Sequence, residues 1–543
     1  MRYKLIPDKL IIVLAVLVLT VITSNCTSLA DVEHHLTILH TNDVHGRLES
    51  FYYKDSKTLS GGIARRAALI QSIKNNNKYV LTVDSGDVAQ GTLFFKFFSG
   101  IPEMNFMSYI GYDAAVPGNH EFDRGLDVFA QMLKTAKFPF VCANIDFKNS
   151  ADIKLSPYII KDYGDFKVGI IGIVADNLKT KTSASNEFKV LDSIKEAKNF
   201  VKKIKPDVDL IVVLSHQGVE EDIKLAKAVP DIDIIVGGHT HTFLTKAVVI
   251  KNKNHRTLIV QDGELGVFLG RLDLKFVSKH INSYDYRLIP VDESIKEDKY
   301  LSKQVSGLSY VVHASSSEVI GKINFAIDNN SSDFLNMAGL LVNSAIKQNY
   351  PDADIIFQNN GGLRIKKYIH PGNITKGDIF ELFPFDNKPV FAELSGREIK
   401  SILETSATYL YKGKDQFLQT KGISYSIDLS GHPQIMSPDG TKILKRGNRI
   451  RNILINGKPL NYNKYYKIVA NNFIFNGGDE YIQFKKAKNI VYSQDCIQDL
   501  IVKYIKNNSP LDLKIQDKIN IIKENNVSAS NIINTKERLL YGT

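Results

Sequence analysis

The chain has 543 residues, 43% hydrophobic and 23% charged, with 69 Lys and Arg against 58 Asp and Glu for a formal charge of +11. That length exceeds one compact core and predicts two domains of ordinary globular composition. Its basic residues are mostly Lys scattered among Asn and Ile, with no dense basic run interleaved with aromatics. This excludes a nucleic-acid polymer as partner and leaves a solvated surface suited to small anions.

The first element is a targeting segment. Arg2, Lys4 and Lys9 precede an apolar run from Leu10 to Ile22, interrupted only by Thr20. The run is too short for a comfortable bilayer span, and Ser28-Leu29-Ala30 offers a small-x-small cleavage site. Residues 1–30 are therefore read as a signal peptide. Lipidation at Cys26, with Asn25 a poor fit before it, and an uncleaved anchor are the alternatives. Export to a periplasmic or extracellular space follows, with a membrane touched only through this segment. Cys142 and Cys496 would remain, read as inert thiols rather than a bridge.

From residue 31 to 290, short apolar runs alternate with amphipathic stretches. Leu36–Leu39, Tyr79–Val83, Val168–Val174, Leu210–Leu214 and Ile232–Val236 read as strands, and Ala64–Ile73 and Ser193–Ile204 as helices. The alternation predicts an α/β sandwich with helices outside sheets. Residues 291–318 read as a linking helix, 319–522 as a second α/β domain with a helix over Asp333–Lys347, and 523–543 as a polar tail.

His, Asp and Asn fall in one pattern through the first domain. Asp43 and His45 follow the strand LTILH; Asp87 follows YVLTVDSGD; Asn119, His120 and Asp123 lie in PGNHEFD; His216 ends DLIVVLSH; His239 and His241 follow DIDIIVGG. A lone His after a strand is ordinarily a hydrogen-bonded residue and nothing more. Five consecutive segments ending this way are another matter, because loops at the carboxyl ends of strands in α/β sheets converge on one crevice. Imidazole, carboxylate and amide oxygen without thiolate suit Zn²⁺, Mn²⁺, Co²⁺ or Fe. The donors exceed one ion's needs, so two ions sharing a bridging carboxylate are expected. Such pairs activate a water for in-line attack at phosphorus. His120 and Asp123 lie close enough in the chain to form a protonated imidazole held by a carboxylate, which would stabilise developing charge.

These motifs resemble the 5′-nucleotidase family of calcineurin-like metallophosphoesterases. The shared features are the Asp-x-His of Asp43 and His45, GNHEFD, the strand-end His216 and GHTH, with HTNDVHG and GGIARRA pointing to the 5′-nucleotidase branch. The resemblance implies a four-layer α/β/β/α sandwich, a linking helix and a substrate-specificity domain. It implies one ion held by Asp43, His45, Asp87 and His241, and a second by Asp87, Asn119, His216 and His239, with Zn, Mn or Co as the metals. His120 and Asp123 would be the catalytic dyad. In the second domain NNGGLR, FPFDN and NNFIFNGGDEY match the family's nucleotide-binding segments. They imply Asn359 and Arg364 as contacts, Phe385 and Phe473 as a base clamp, and Asp479 as the ribose acceptor. The helix opening that domain departs from the pattern: Ala338 and Gly339 replace Gly-Asn, Asn343 replaces Asp, and no Arg lies between residues 288 and 363. One guanidinium is thus missing, which predicts weaker phosphate binding or a substrate other than a plain monophosphate, with Lys322 a partial replacement.

The resemblance implies hydrolysis of nucleoside 5′-phosphates, extending to di- and triphosphates or nucleotide sugars. Catalysis would then need the second domain to rotate about the linker. The alternative on the same scaffold is a 2′,3′-cyclic phosphodiesterase with 3′-nucleotidase activity, against which the two Phe argue, and thiosulfate-ester hydrolysis is a minor option. A surface binding protein with a retired site is disfavoured because none of the metal positions is degraded.

Overall fold

The computed structural model describes residues 32–522 except 55, 148–152, 183–186, 253–254, 278, 329–333, 365–367 and 411–413. The N-terminal segment, with Cys26 and Ala30, and the tail after 522 lie outside the described residues.

Two sheets stack in the first domain. One runs in the order His280–Pro290, Phe268–Val277, His34–Thr41, Val80–Asp84, Ala114–Ala115. The other runs Val248–Asn252, His255–Val260, Ile234–Gly237, Leu210–His216, Lys167–Val174, Tyr158–Asp162. Strand residues alternate between faces, and both faces are apolar. Leu36, Ile38, Leu81 and Val83 of the first sheet meet Val168, Ile170, Val212 and Ile234 of the second in one core. Leu39 faces the opposite way, onto Ile63, Ala67 and Ile70 of helix Ile63–Asn76. Ile171, Ile173, Ile211 and Val213 likewise pack on Ala197, Val201 and Leu225 of the helices Ser193–Ile204 and Val219–Ala228. Helix, sheet, sheet, helix is the expected four-layer order.

The helix Ser193–Ile204 has the bounds its sequence predicts, because Asp192 accepts from the Lys195 amide at 2.7 Å and caps it. The linking helix is shorter than expected. It spans Lys299–Ser316, because residues 291–298 form a bridge from Asp292 to Ser60 and a turn, and Asp298 supplies the cap, accepting from the Leu301 amide at 2.8 Å. Leu301, Val305 and Val312 bury it against the first domain. The helix expected from Asp333 begins at Met337 and ends at Asn349, since Asn336 caps it through the Gly339 amide at 2.8 Å.

The second domain centres on a sheet ordered Leu418–Lys421, Ile355–Asn359, Tyr465–Asn471, Pro389–Ser395, Lys488–Tyr492. Ile355 and Phe357 face one core and Ile356 the other, so both of its faces are covered. Cys142 and Cys496 are free thiols. Among the described residues no helix is long and apolar enough to cross a membrane.

Candidate active site

Parallel pairing sends the carboxyl ends of five strands toward one place. Thr41 and Asp84 end neighbouring parallel strands that lead to Asp43, His45 and Asp87; Ala114–Ala115 leads to Asn119 and His120. In the second sheet Leu210–His216 ends on His216 and its parallel neighbour Ile234–Gly237 leads to His239 and His241. Asp43, His45, Asp87, His239 and His241 all adopt left-handed backbone, with φ of 51°, 52°, 55°, 76° and 53°. Each such residue costs on the order of 1 kcal/mol, and strain of this kind collects where a site over-determines it. Close approach shapes the loops too: a Cβ on Gly118 would fall 2.2 Å from Asp87 Oδ1, so only glycine fits before Asn119.

The side chains meet in three overlapping groups: Asp43, His45 and His241; His45, Asp87 and His120; and Asp87, His216 and His239. Within each, the donor atoms lie within 4.8 Å of one another. His45 Nε2 is 3.1 Å from His241 Nε2, which is 3.3 Å from Asp43 Oδ1. His216 Nε2 stands 3.2 Å from Asp87 Oδ2. Asp87 belongs to two of the groups, one toward each expected ion. Among the described residues Asn119 Oδ1 is buried without a hydrogen-bond partner, and Asp43 Oδ1 and His216 Nε2 meet only the neighbours just given, which is costly for a donor set unless a cation takes the lone pairs. The residues therefore fit divalent ions.

Electrostatics agrees. Burial depresses His216, but Asp87, Asp43 and the Ser85 carbonyl outweigh it and push the imidazole up to about 10. His241 is likewise raised to about 10 against burial by Asp43 and Glu264. Burial and the neighbouring His216 hold His239 down at about 3, as a neutral donor. Carboxylates that draw protons onto two imidazoles would draw divalent ions in their place.

Several supporting residues escaped the sequence reading. Glu121 accepts from the amides of Asp87 at 3.0 Å, Ala89 at 2.9 Å and Gly118 at 2.6 Å, tying two ligand loops together. Glu264 holds His241 Nδ1 at 2.9 Å, Asn42 donates to Asp43 Oδ2 at 2.6 Å, and the Ser85 and Gln90 carbonyls orient His216 and His45. Such outer contacts fix ligand orientation. Glu121 was the one with a signal, a buried acid inside GNHEFD.

The dyad has formed: His120 Nδ1 lies 2.6 Å from Asp123 Oδ2, and the His120 amide donates to Asp87 Oδ1 at 2.9 Å. Burial works against the imidazolium, but Asp123 and Asp87 prevail and raise His120 above its ordinary value.

The second domain closes over this face. Phe385 stacks on His120 with centroids 6.0 Å apart and planes at 25°, and the Arg364 guanidinium lies 5.3 Å from the Phe385 centroid. Asp479 is buried and accepts from Asn359 Nδ2 at 2.8 Å. Phe473 packs across Gly478, where a Cβ would sit 2.7 Å from its ring edge. Lys322 is no replacement for the missing Arg, because it lies exposed on the strand Val319–Ile323. The cation beside Asp479 is Lys181, from the first domain, at 3.7 Å; its carbonyl accepts from Asn119 Nδ2 at 3.4 Å. A cavity of about 300 Å³ between the domains is lined by Arg47, Phe51, Thr92, His313, Arg364 and Glu381 among others.

Comparison with known proteins agrees with this geometry. Residues 36–243 match the calcineurin-like phosphoesterase family and residues 314–486 the 5′-nucleotidase C-terminal domain. A snake venom 5′-nucleotidase from Gloydius brevicauda is 31% identical over 88% of this chain and 87% of its own length. The trifunctional nucleotide phosphoesterase YfkN of Bacillus subtilis is 29% identical over 84% of this chain, which spans only 32% of that relative. The crystal structure of a 5′-nucleotidase precursor from Thermus thermophilus superposes with a TM-score of 0.77 at 30% identity, covering 90% of this chain and all of that one. The chain belongs to the 5′-nucleotidase family of calcineurin-like metallophosphoesterases and is a hydrolase of that kind.

Proposed function

We propose that the chain is an exported enzyme that releases phosphate from nucleoside 5′-phosphates with the help of two divalent ions. The reading rests on one observation above all: Asp87 belongs to two donor groups whose other members come from four different loops, with the buried Asn119 Oδ1 beside them unpaired among the described residues. Asp43, His45, Asp87 and His241 would hold one ion, and Asp87, Asn119, His216 and His239 the other. Bound there, Zn, Mn or Co would supply Lewis acidity and an activated water for attack at phosphorus.

The chain's own groups do the rest. His120, whose imidazolium Asp123 favours and which lies 4.0 Å from Asp87 Oδ2, would place positive charge where the phosphoryl group and the nucleoside oxygen separate. Arg364 beside Phe385 would steer the phosphate edge of the substrate. Phe385 and Phe473 would hold the base, each stack worth roughly 1–3 kcal/mol and tolerant of base identity. Asp479, kept in place by Asn359, would accept the ribose hydroxyls. Export is supported by the N-terminal charge and apolar pattern and by the venom relative. Phosphate release from AMP with added Mn²⁺ or Co²⁺, compared with Asp87→Ala, tests the reading. Release unaffected by that substitution refutes it.

A further inference from the structure

The segment Phe383–Asn387 carries the family-like Phe385, and its next residue makes contacts that the nucleotide reading leaves unexplained. Asp386 pairs with both Lys96 and Arg124 of the first domain, at side chains that are mostly buried. The Arg124 Nε donates to Asp386 Oδ2 at 3.0 Å. Arg124 is itself locked, donating to the Phe95 carbonyl at 3.2 Å, Ser99 Oγ at 2.6 Å and the Lys96 carbonyl at 3.1 Å. Lys96 Nζ also reaches Gln498 Oε1 at 2.6 Å, and Gln498 in turn donates to the Phe383 carbonyl. Burial opposes ionisation of Asp386, but Arg124 and Lys96 hold its carboxyl below the usual range.

Neighbours along the chain give this cluster its meaning. Arg124 follows Asp123 of the dyad, and Asp386 follows Phe385 of the clamp, so the ion pair lies one residue from each. Beyond it, the Lys388 amide donates to Asn472 Oδ1 at 2.9 Å and the Asn472 amide to the Lys388 carbonyl at 2.9 Å, joining the segment to the helix Asn472–Phe475 that bears Phe473. One carboxylate thus connects dyad, clamp and domain boundary.

The geometry points to Asp386 as a positioning residue: by pairing with Arg124 and Lys96 across the boundary it seats Phe385 over His120 and couples closure of the second domain to the dyad. The inference rests on the nucleotide reading for its consequence and on the ion pair alone for its structure. A charge pair desolvated at an interface is costly to break from one side. Removing Asp386 shifts the population away from the closed arrangement, and substrates that need the clamp lose in proportion.

The test compares AMP with p-nitrophenyl phosphate, which has no nucleoside to clamp, in Mn²⁺-loaded protein. Asp386→Asn is expected to lower kcat/KM for AMP about tenfold or more, mostly through KM, and to leave p-nitrophenyl phosphate nearly unchanged. Asp386→Glu should recover part of the loss, and Lys96→Met should reproduce it. X-ray scattering should show Asp386→Asn more extended than the wild type. Equal losses on both substrates, loss on neither, or identical scattering profiles overturn the proposal. A wild type that cleaves p-nitrophenyl phosphate and ignores AMP refutes the nucleotide reading instead, and the scattering comparison still decides the role of Asp386.

Discussion

Replacing Glu121 by Gln is the sharpest probe of how the ligand loops are held. Glu121 Oε2 receives the Asp87 amide at 3.0 Å and the Gly118 amide at 2.6 Å, while Oε1 receives the Ala89 amide at 2.9 Å. Burial and Asp87 push this carboxyl up to about 7, against the pull of the Ala89 and Gly118 amides. A Gln of the same shape has one acceptor oxygen. Its best orientation keeps that oxygen at the two-donor corner and turns its NH₂ toward the Ala89 N–H, donor against donor. One bond to a charged acceptor is lost and one buried N–H is stranded, a cost of about 1–3 kcal/mol. The loops concerned carry Asp87 and Asn119, so the loss should appear as metal affinity about 10–100-fold weaker, the usual scale for an outer contact. Calorimetric titration with Mn²⁺ measures it, and urea unfolding of the metal-free protein measures the stability change. Glu121→Ala, which strands all three amides, should cost more in both. A Glu121→Gln protein that binds Mn²⁺ and unfolds like the wild type would show that the three amides do not position the ligands.

Three further outcomes are expected. Removing metal with EDTA should abolish phosphate release from AMP and lower the Tm, since an ion at a hundredfold its Kd stabilises by about 2.7 kcal/mol; added Mn²⁺ should restore both, and indifference to chelation contradicts the donor-set reading. Glu103 is buried, neither carboxylate oxygen meeting a donor of any other described residue, and burial raises it to about 7 against the pull of its own amide. Its folded value thus lies above its unfolded one, so folding takes up a proton between the two and the penalty grows as pH rises from about 4.5 through 7. Glu103→Gln should then stabilise by roughly 1–3 kcal/mol at pH 8.5 and much less at pH 5, and equal effects at both pH values would sink the argument. Gly478→Ala drives a Cβ to 2.7 Å from the Phe473 ring, and should raise KM for AMP about fivefold while sparing p-nitrophenyl phosphate; an unchanged KM separates Phe473 from base binding.

What could be read from the chain, and what could not, follows from the reach of each interaction. Strands such as Leu210–His216 are buried on both faces, so an apolar run ending in His announces both the strand and the residue at its carboxyl end. Helix Ser193–Ile204 announces itself because its apolar stripe and basic last turn lie within its own span and its cap, Asp192, directly precedes it. The linking helix did not, because an amphipathic pattern from residue 291 onward does not reveal that Asp298 would cap it and that Asp292 would bridge to Ser60 across the preceding turn. Glu264 meets the site through His241, and the left-handed backbone of five candidate ligands belongs to loops that meet from far apart, so neither leaves a local mark.

The missing Arg carries the same argument one step further. Along the chain it is a lost cation upstream of the helix Met337–Asn349, and Lys322 is the partial substitute that the sequence of that domain offers. In the fold, charge near Asp479 comes from Lys181 across the boundary, just as Asp386 finds Arg124 262 positions away. Both pairings join a residue of the second domain to one beside the candidate site: Lys181 touches Asn119 through its carbonyl, and Arg124 follows Asp123. Both cations reach the second domain from the first. A pairing of this kind leaves no mark along the chain, because the charge that a carboxylate of one domain meets is carried by the other, far away in sequence.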